Sequence, residues 1–273
     1  MKFKLNNLFS KKVEQLKQYI DEADNIVFFG GAGVSTESGI PDFRSKNGIY
    51  NTRGVDFSQY EPEYLMSSYC LLEKPEVFYA FYRQKLDCRN AQPNITHYKL
   101  AELEKNHNLV VVTQNVDGLH QKAGSKNVLE IHGTAQSCFC RRCGREYPAS
   151  YIFDCKDPIP RCTKCINEEN EYCTHEMALI RPRISLFGEF LPSSFSTAMK
   201  KVNKADLLII GGTSLKVYPA AGVVDEFKNK ANITLYGIKK HKRLVIINNE
   251  STKYDDQADL VFHNPLGKVF SKL

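Results

Sequence analysis

Residues 26–39 read IVFFGGAGVSTESG, and the fold turns on them. Four consecutive apolar residues are too short for a helix, do not alternate with polar ones, and stop at a pair of glycines. A run of that kind reads as a strand covered on both faces, as strands of a parallel sheet are. Gly31-Ala32-Gly33 then follows a strand and precedes an expected helix. Glycines there let backbone N–H groups approach a pyrophosphate, and a helix N-terminus adds positive potential. Alone the signal is weak. The third glycine of the dehydrogenase fingerprint is missing, and no acidic residue ends a second strand about 20 residues on. A tight turn without a ligand is the plainer alternative.

Working outward, runs of the same buried kind occur at Val110–Val112, Val128–Ile131, Leu207–Ile210, Leu244–Ile247 and Leu260–Phe262. Helical patterns lie between several of them, at Val13–Ala23, Pro75–Leu86, Thr96–Lys105, Phe195–Val202 and Ala220–Lys228. Alternating strands and helices predict an α/β fold, a Rossmann-like parallel sheet with helices on both faces. Residues 1–44, 96–136 and 179–273 are assigned to that Rossmann-like domain. Residues 45–95 hold no clear strand and many aromatics, and are expected to form a helical layer over the cleft.

Residues 137–178 break the rhythm and carry seven of the nine cysteines, as an inserted module would. Cys140-Arg-Arg-Cys143 and Cys162-Thr-Lys-Cys165 are two C-x-x-C pairs with 18 residues between them. That spacing suits a single tetrahedral zinc held by four thiolates. A filled shell leaves no position for water, so the zinc is expected to be structural. Redox-active pairs are the alternative, and Cys173 or His175 is a candidate replacement ligand.

The bulk numbers exclude less than the motifs do. A chain of 273 residues, 42% apolar and 25% charged, is long enough for a full core and is not disordered overall. A formal charge of +6 is mild and scattered, so no direct nucleic-acid role is expected. The basic run Lys239–Arg243 reads as a solvated turn before a strand. No stretch approaches the roughly 20 apolar residues a bilayer span needs. The amino terminus has no apolar signal core, and nine cysteines without a disulfide pattern suit a cytoplasmic protein.

Polar residues gather where the predicted strands end. Gln114, Asn115 and Asp117 follow one, His132 ends another, Gly212-Thr213-Ser214 follows a third and Asn248 a fourth. In open parallel sheets the ligand crevice lies at those ends. Gly39-Ile40-Pro41-Asp42-Phe43-Arg44 adds a rigid loop that sets a ring and a guanidinium beside the glycine turn. Core packing of Phe43 and a surface salt bridge of Arg44 are the plain alternatives there.

With these residues in place the chain resembles the sirtuins, the NAD-dependent protein deacylases. The segments that carry the likeness are GAGVSTESGIPDFR (31–44), TQNVDGLHQKAG (113–124), IHG (131–133), the two cysteine knuckles, LIRPRISLFGEFLP (179–192), GGTSLKVYPAA (211–221) and VIINNE (245–250). The resemblance implies NAD as co-substrate, a structural zinc, and acyl-lysine proteins as partners of a monomeric enzyme. By position it would set Ala32, Gly33, Thr36, Phe43 and Arg44 against the dinucleotide. Gln114 would touch the ribose, Val116 and Asp117 would form the nicotinamide pocket, and Asn115 would hold a water near the reacting carbon. Gly212, Thr213, Ser214 and Asn248 would take the phosphate and adenosine half. Phe187, Gly188, Glu189, Val217 and Tyr218 would supply edges to which an extended substrate pairs. His132 would be the general base that draws a proton from the ribose hydroxyls after nicotinamide has left.

Two rival functions remain on the same residues. A sirtuin-type ADP-ribosyltransferase would use the same NAD site but needs no second-stage base. A non-catalytic NAD-sensing module would need no histidine at that strand end. Sirtuins that prefer acidic acyl groups carry Tyr-x-x-Arg on the helix over the acyl tunnel. Here Tyr79 is followed at that spacing by Tyr82, with Arg83 one residue out of phase, about 100° around the helix. Acetyl or longer apolar acyl groups are therefore expected over succinyl.

Overall fold

The computed structural model describes residues 2–52, 57–166, 178–229 and 242–273. Six parallel strands form the main sheet: β1 (Ile26–Gly30), β2 (Leu109–Thr113), β3 (Val128–Glu130), β7 (Leu207–Gly211), β8 (Arg243–Ile247) and β9 (Leu260–Phe262). Their order is β3-β2-β1-β7-β8-β9. The chain leaves β1 toward one edge for two strands and returns beside β1 to build the other edge. The topological switch point of this α/β class therefore lies between β1 and β7.

Registers align the carboxyl ends. Gly30 pairs with Thr113 on one side and Gly211 on the other, and Gly211 pairs with Ile247. All five residues of β1, β2 and β7 are buried. Alternate side chains serve two cores, as the period of a strand requires. Val27, Phe29, Val112, Leu208 and Ile246 face helices Ser193–Lys204 and Val223–Asn229, while Ile26, Phe28, Val111, Ile209 and Val245 face helices Lys2–Glu22 and Leu266–Phe270.

A second, antiparallel sheet of order β5-β4-β6 stands beside the first: β4 (Gly133–Cys140), β5 (Glu146–Pro148) and β6 (Ile180–Ile184). It reaches beyond the 137–178 span expected for the cysteine module, taking in residues 133–136 and 180–184. Helices Pro62–Leu65, Ser68–Glu73 and Pro75–Lys85 lie within the 45–95 stretch, and one core joins them to the small sheet. Phe78, Tyr79, Phe81 and Tyr82 are buried in it with Cys138, Cys140, Cys162 and Ile180.

The joint between the two sheets is two residues long, Ile131 and His132. β3 ends at Glu130, and β4 begins at Gly133 with φ of +80°. A Cβ there would lie 2.3 Å from the Arg183 carbonyl oxygen, so the approach of β6 demands glycine. His132 occupies that joint.

Candidate active site

The loop after β1 departs from expectation. No α-helix follows the glycines; two short 3₁₀ turns do, Ala32–Val34 and Thr36–Ser38. Thr36 Oγ1 donates to the Gly33 carbonyl at 3.0 Å, and Gly39 is left-handed with φ of +83°. Local side-chain bonds and a left-handed residue stop a helix before it can propagate. A phosphate near this loop would meet backbone amides, without the dipole of a long helix.

The glycines are explained first by each other. The Gly33 N–H donates to the Gly212 carbonyl at 2.8 Å. A Cβ on Gly33 would sit 2.8 Å from Gly212 Cα, and one on Gly212 (φ +58°) 2.6 Å from Gly33 C. Two strand-end loops thus cross backbone to backbone at the switch point. Gln114 bridges the same place, its Nε2 donating to Thr213 Oγ1 at 3.1 Å while its N–H donates to the Gly30 carbonyl at 3.0 Å.

Asn115 and Asp117 are brought together by a residue that the sequence reading passed over. Asn115 Nδ2 donates to Ser35 Oγ at 3.0 Å, and Ser35 Oγ donates to Asp117 Oδ2 at 2.7 Å. The single hydroxyl proton goes to the carboxylate, so Oγ is left to accept and the Asn115 amide is thereby oriented. Asp117 Oδ1 accepts from the Leu119 N–H at 2.9 Å. Burial pushes the Asp117 carboxyl above the ordinary carboxylate range, against the pull of the Leu119 N–H and Ser35 bonds. Ser35 itself is buried. Its only sequence signal was its place in the loop directly after the glycines.

His132 Nδ1 lies 3.0 Å from the Gln114 carbonyl oxygen. A carbonyl only accepts, so Nδ1 carries the proton and Nε2 keeps its lone pair. Burial lowers the imidazole below its usual range, and the Gln114 carbonyl opposes that shift. The ring is therefore neutral at pH 7, with the tautomer a base needs.

Other expected residues are placed as follows. Phe43 packs against Tyr50, ring centroids 5.4 Å apart, and Arg44 pairs with Glu63 at 3.3 Å. Ser214 is exposed, and Asn248 closes its own turn by donating from Nδ2 to the Glu250 carbonyl at 2.8 Å. Both backbone groups of Phe187 are already used: its N–H donates to the Met66 carbonyl and its carbonyl accepts from the Ser68 N–H, each at 3.0 Å. The Glu189 carboxylate is held by Arg181. Tyr218 is exposed, and its hydroxyl accepts from Lys253 Nζ at 2.5 Å.

The four cysteines converge. Their sulfur atoms all lie within 4.8 Å of one another, with Cys140–Cys165 at 3.7 Å and Cys143–Cys162 at 3.8 Å. Corners of a tetrahedron about 2.3 Å from a zinc ion are ~3.8 Å apart, so the four-cysteine set fits one structural zinc. The Cys143 N–H points at Cys140 Sγ at 3.5 Å. Cys173 and His175 lie outside the described residues, as do Lys239 to His241 of the basic run.

A parallel sheet with glycine loops crossing at its switch point, beside a four-cysteine module, defines an α/β nucleotide-binding protein with a zinc appendage. The model of the Sir2 family matches residues 31–219, and the chain belongs to that family. It is 42% identical to an NAD-dependent protein deacetylase of Clostridium acetobutylicum over 96% of this chain and 98% of that one. With the NAD-dependent protein deacetylase of Cutibacterium acnes it shares 44% identity over 94% of this chain and 96% of the relative. Among solved structures, a Sir2 with p53 peptide and NAD+ is similar at a TM-score of 0.78 and 33% identity, covering 95% of this chain and 96% of that one. A Sir2 with deacetylated p53 peptide and 3'-O-acetyl ADP ribose gives 0.80 and 32%, with the same coverage.

Proposed function

We infer that this chain is an NAD-dependent protein lysine deacylase, passing an acyl group from lysine to ADP-ribose and releasing nicotinamide. The observation that carries the reading is the Asn115–Ser35–Asp117 chain set beside an imidazole whose Nε2 is available as a base. NAD supplies a ribosyl carbon that already bears a good leaving group. The protein supplies position and proton transfer.

Asp117, fixed by Ser35 and the Leu119 N–H, presents an oriented acceptor for the carboxamide of nicotinamide, with Val116 as the apolar wall. Asn115, its amide direction set by Ser35, orients a water and the ribose. His132 takes a ribose hydroxyl proton on Nε2 while the Gln114 carbonyl steadies the developing imidazolium through Nδ1. Ala32, Gly33, Thr36, Phe43, Arg44 and Gln114 line the dinucleotide, and Gly212, Thr213, Ser214 and Asn248 take its adenosine half. Gly188, Glu189, Val217 and Tyr218 offer backbone to an extended peptide, and Phe187 contributes its ring.

The acyl group is read as acetyl or a longer apolar chain. Tyr79 donates its hydroxyl to the Ile180 carbonyl at 2.7 Å, and Tyr82 is buried against Phe78 and Phe153. Arg83 spends its guanidinium on the carbonyls of Ile152, Asp157 and Pro158. None of these groups is left to meet a succinyl carboxylate. No described helix is long and apolar enough to cross a membrane. A cytoplasmic monomer acting on acyl-lysine proteins is the setting we propose.

The test is NAD-dependent turnover of acetyl-, fatty acyl- and succinyl-lysine peptides with product identification. O-acyl-ADP-ribose from the apolar acyl peptides is expected. His132→Ala should lower deacylation by roughly 10²–10⁴-fold while leaving some nicotinamide exchange, since the base acts after the first step. ADP-ribosylated protein as the product, a strong succinyl preference, or equal loss of both activities in that variant would each contradict the assignment.

A further inference from the structure

The Arg181–Glu189 pair is more organised than an ordinary surface bridge. Arg181 Nη1 lies 2.5 Å from Glu189 Oε1 and Nη2 lies 2.9 Å from Oε2. Nη2 also donates to the Ile184 carbonyl at 2.8 Å, and the Leu186 N–H donates to Glu189 Oε2 at 3.0 Å. The side chains are only 13% and 26% exposed. Burial alone would raise the Glu189 carboxyl; the Arg181 and Leu186 bonds outweigh it and hold it below the usual range. Bidentate charge-assisted bonding of this kind fixes direction as well as distance.

What the pair fixes is the turn from Ile184 to Glu189. Its middle, Gly188, is left-handed at φ +88°, and a Cβ there would lie 3.2 Å from Tyr69 Cε2. Phe187 pairs with Met66 and Ser68 on the helical layer. On the other side Arg181 faces Phe139 in the β4–β6 register, its guanidinium 5.5 Å from that ring, one residue before the zinc ligand Cys140. The turn's charge is therefore spent inward. Its apolar side chain Phe187 is 36% exposed, and Phe190, directly after the turn, is 98% exposed.

We propose that Arg181 is a positioning residue for the acyl-lysine peptide: by clamping Glu189 it holds the 184–189 turn at the place where the substrate strand pairs. This rests on the deacylase reading above. Glu189 then acts through its carboxylate on the turn, and meets the peptide only through its backbone.

The experiment compares wild type with Arg181→Met, Arg181→Lys and Glu189→Gln in steady-state kinetics for both substrates, with zinc content and thermal midpoint measured on each. Loss of the clamp should raise the KM for an acetyl-lysine peptide about tenfold in Arg181→Met, with kcat and the KM for NAD within about twofold and zinc fully retained. Arg181→Lys, a single-point donor, should recover part of the loss. If Arg181→Met comes out zinc-poor, Glu189→Gln decides, since it keeps the shape and removes the charge. An unmoved peptide KM in both would overturn the proposal. So would a rise in both KM values that tracks zinc loss, which is what a merely structural pair would give. Wild type that turns over no acyl-lysine peptide would sink the deacylase reading and the clamp with it; active wild type with unmoved variants would sink the clamp alone.

Discussion

Acidification should weaken this protein through two histidines that the chemistry does not use. His97 and His120 are fully buried, with ring centroids 4.7 Å apart. His97 Nδ1 accepts from the Asn94 N–H at 3.2 Å, while His97 Nε2 and both nitrogens of His120 have no hydrogen-bond partner among the described residues. Phe28 lies against His120, ring centroids 6.3 Å apart. A proton added to either ring would have no acceptor, and burial lowers His97 to about 4 and His120 to about 3, His97 adding to the shift on His120. Both folded values lie below the unfolded value of about 6.5, so the unfolded chain binds more protons and stability falls with pH. The loss begins near pH 6.5 and continues toward pH 4. At pH 5 an unfolded histidine is almost fully protonated and these are almost fully neutral, which costs roughly 2 kcal/mol each, or about 4 kcal/mol together. The assay is urea denaturation at pH 7.5 and pH 5, wild type against His97→Asn/His120→Asn, with zinc content followed because thiolate ligands also protonate. The double variant starts less stable but should lose about 4 kcal/mol less between the two pH values. Equal losses at equal zinc content would refute the reasoning.

Ser35→Ala should remove the hydroxyl that bridges the Asn115 and Asp117 side chains, and it should differ in kind from His132→Ala. Because both partners act before the acyl group moves, nicotinamide exchange and deacylation should fall together, by about a hundredfold for a buried charge-assisted bond. Exchange that survives while deacylation is lost would remove Ser35 from that role. Stripping the zinc with a chelator should unfold the small sheet instead of removing a reacting group, seen as new protease cleavage within 137–178. A stable, fully active metal-free protein would contradict the structural assignment.

Much of the parent sheet was legible because its strands bury both faces and so read as unbroken apolar runs, from Ile26 to Phe29 and from Leu207 to Ile210. The cysteine knuckles were legible for a different reason: a tetrahedral shell imposes its own spacing. The small sheet was not. β4 reads GTAQSCFC with mixed burial, and its pairing with β6 joins Gly133 to Ile184 across the whole cysteine insertion. No local period announces a contact of that range. Ser35 was hidden likewise, since a serine in a glycine-rich loop gains meaning only when β1 and β2 bring it between Asn115 and Asp117.

The glycines show how a correct motif can rest on an incomplete reason. Gly33 reads in the sequence as room for a pyrophosphate, yet Gly33 and Gly212 each exclude a side chain from the other by their backbones. Close packing of the two loops and closeness to a ligand are not rivals. Loops that cross without side chains keep the crevice mouth narrow and free of side chains at the sheet's switch point, where a dinucleotide is directed in this class of fold. Gly133 extends the same logic to the reacting end, because β6 passes too close for any Cβ and His132 must turn there from one sheet into the next. His132 is therefore placed by the junction of the two sheets, and its ring is oriented by the Gln114 carbonyl just past the end of β2. Position of the imidazole thus depends on both halves of the molecule holding their register, which on the proposed reading ties the cysteine-bearing sheet to catalysis through the fold.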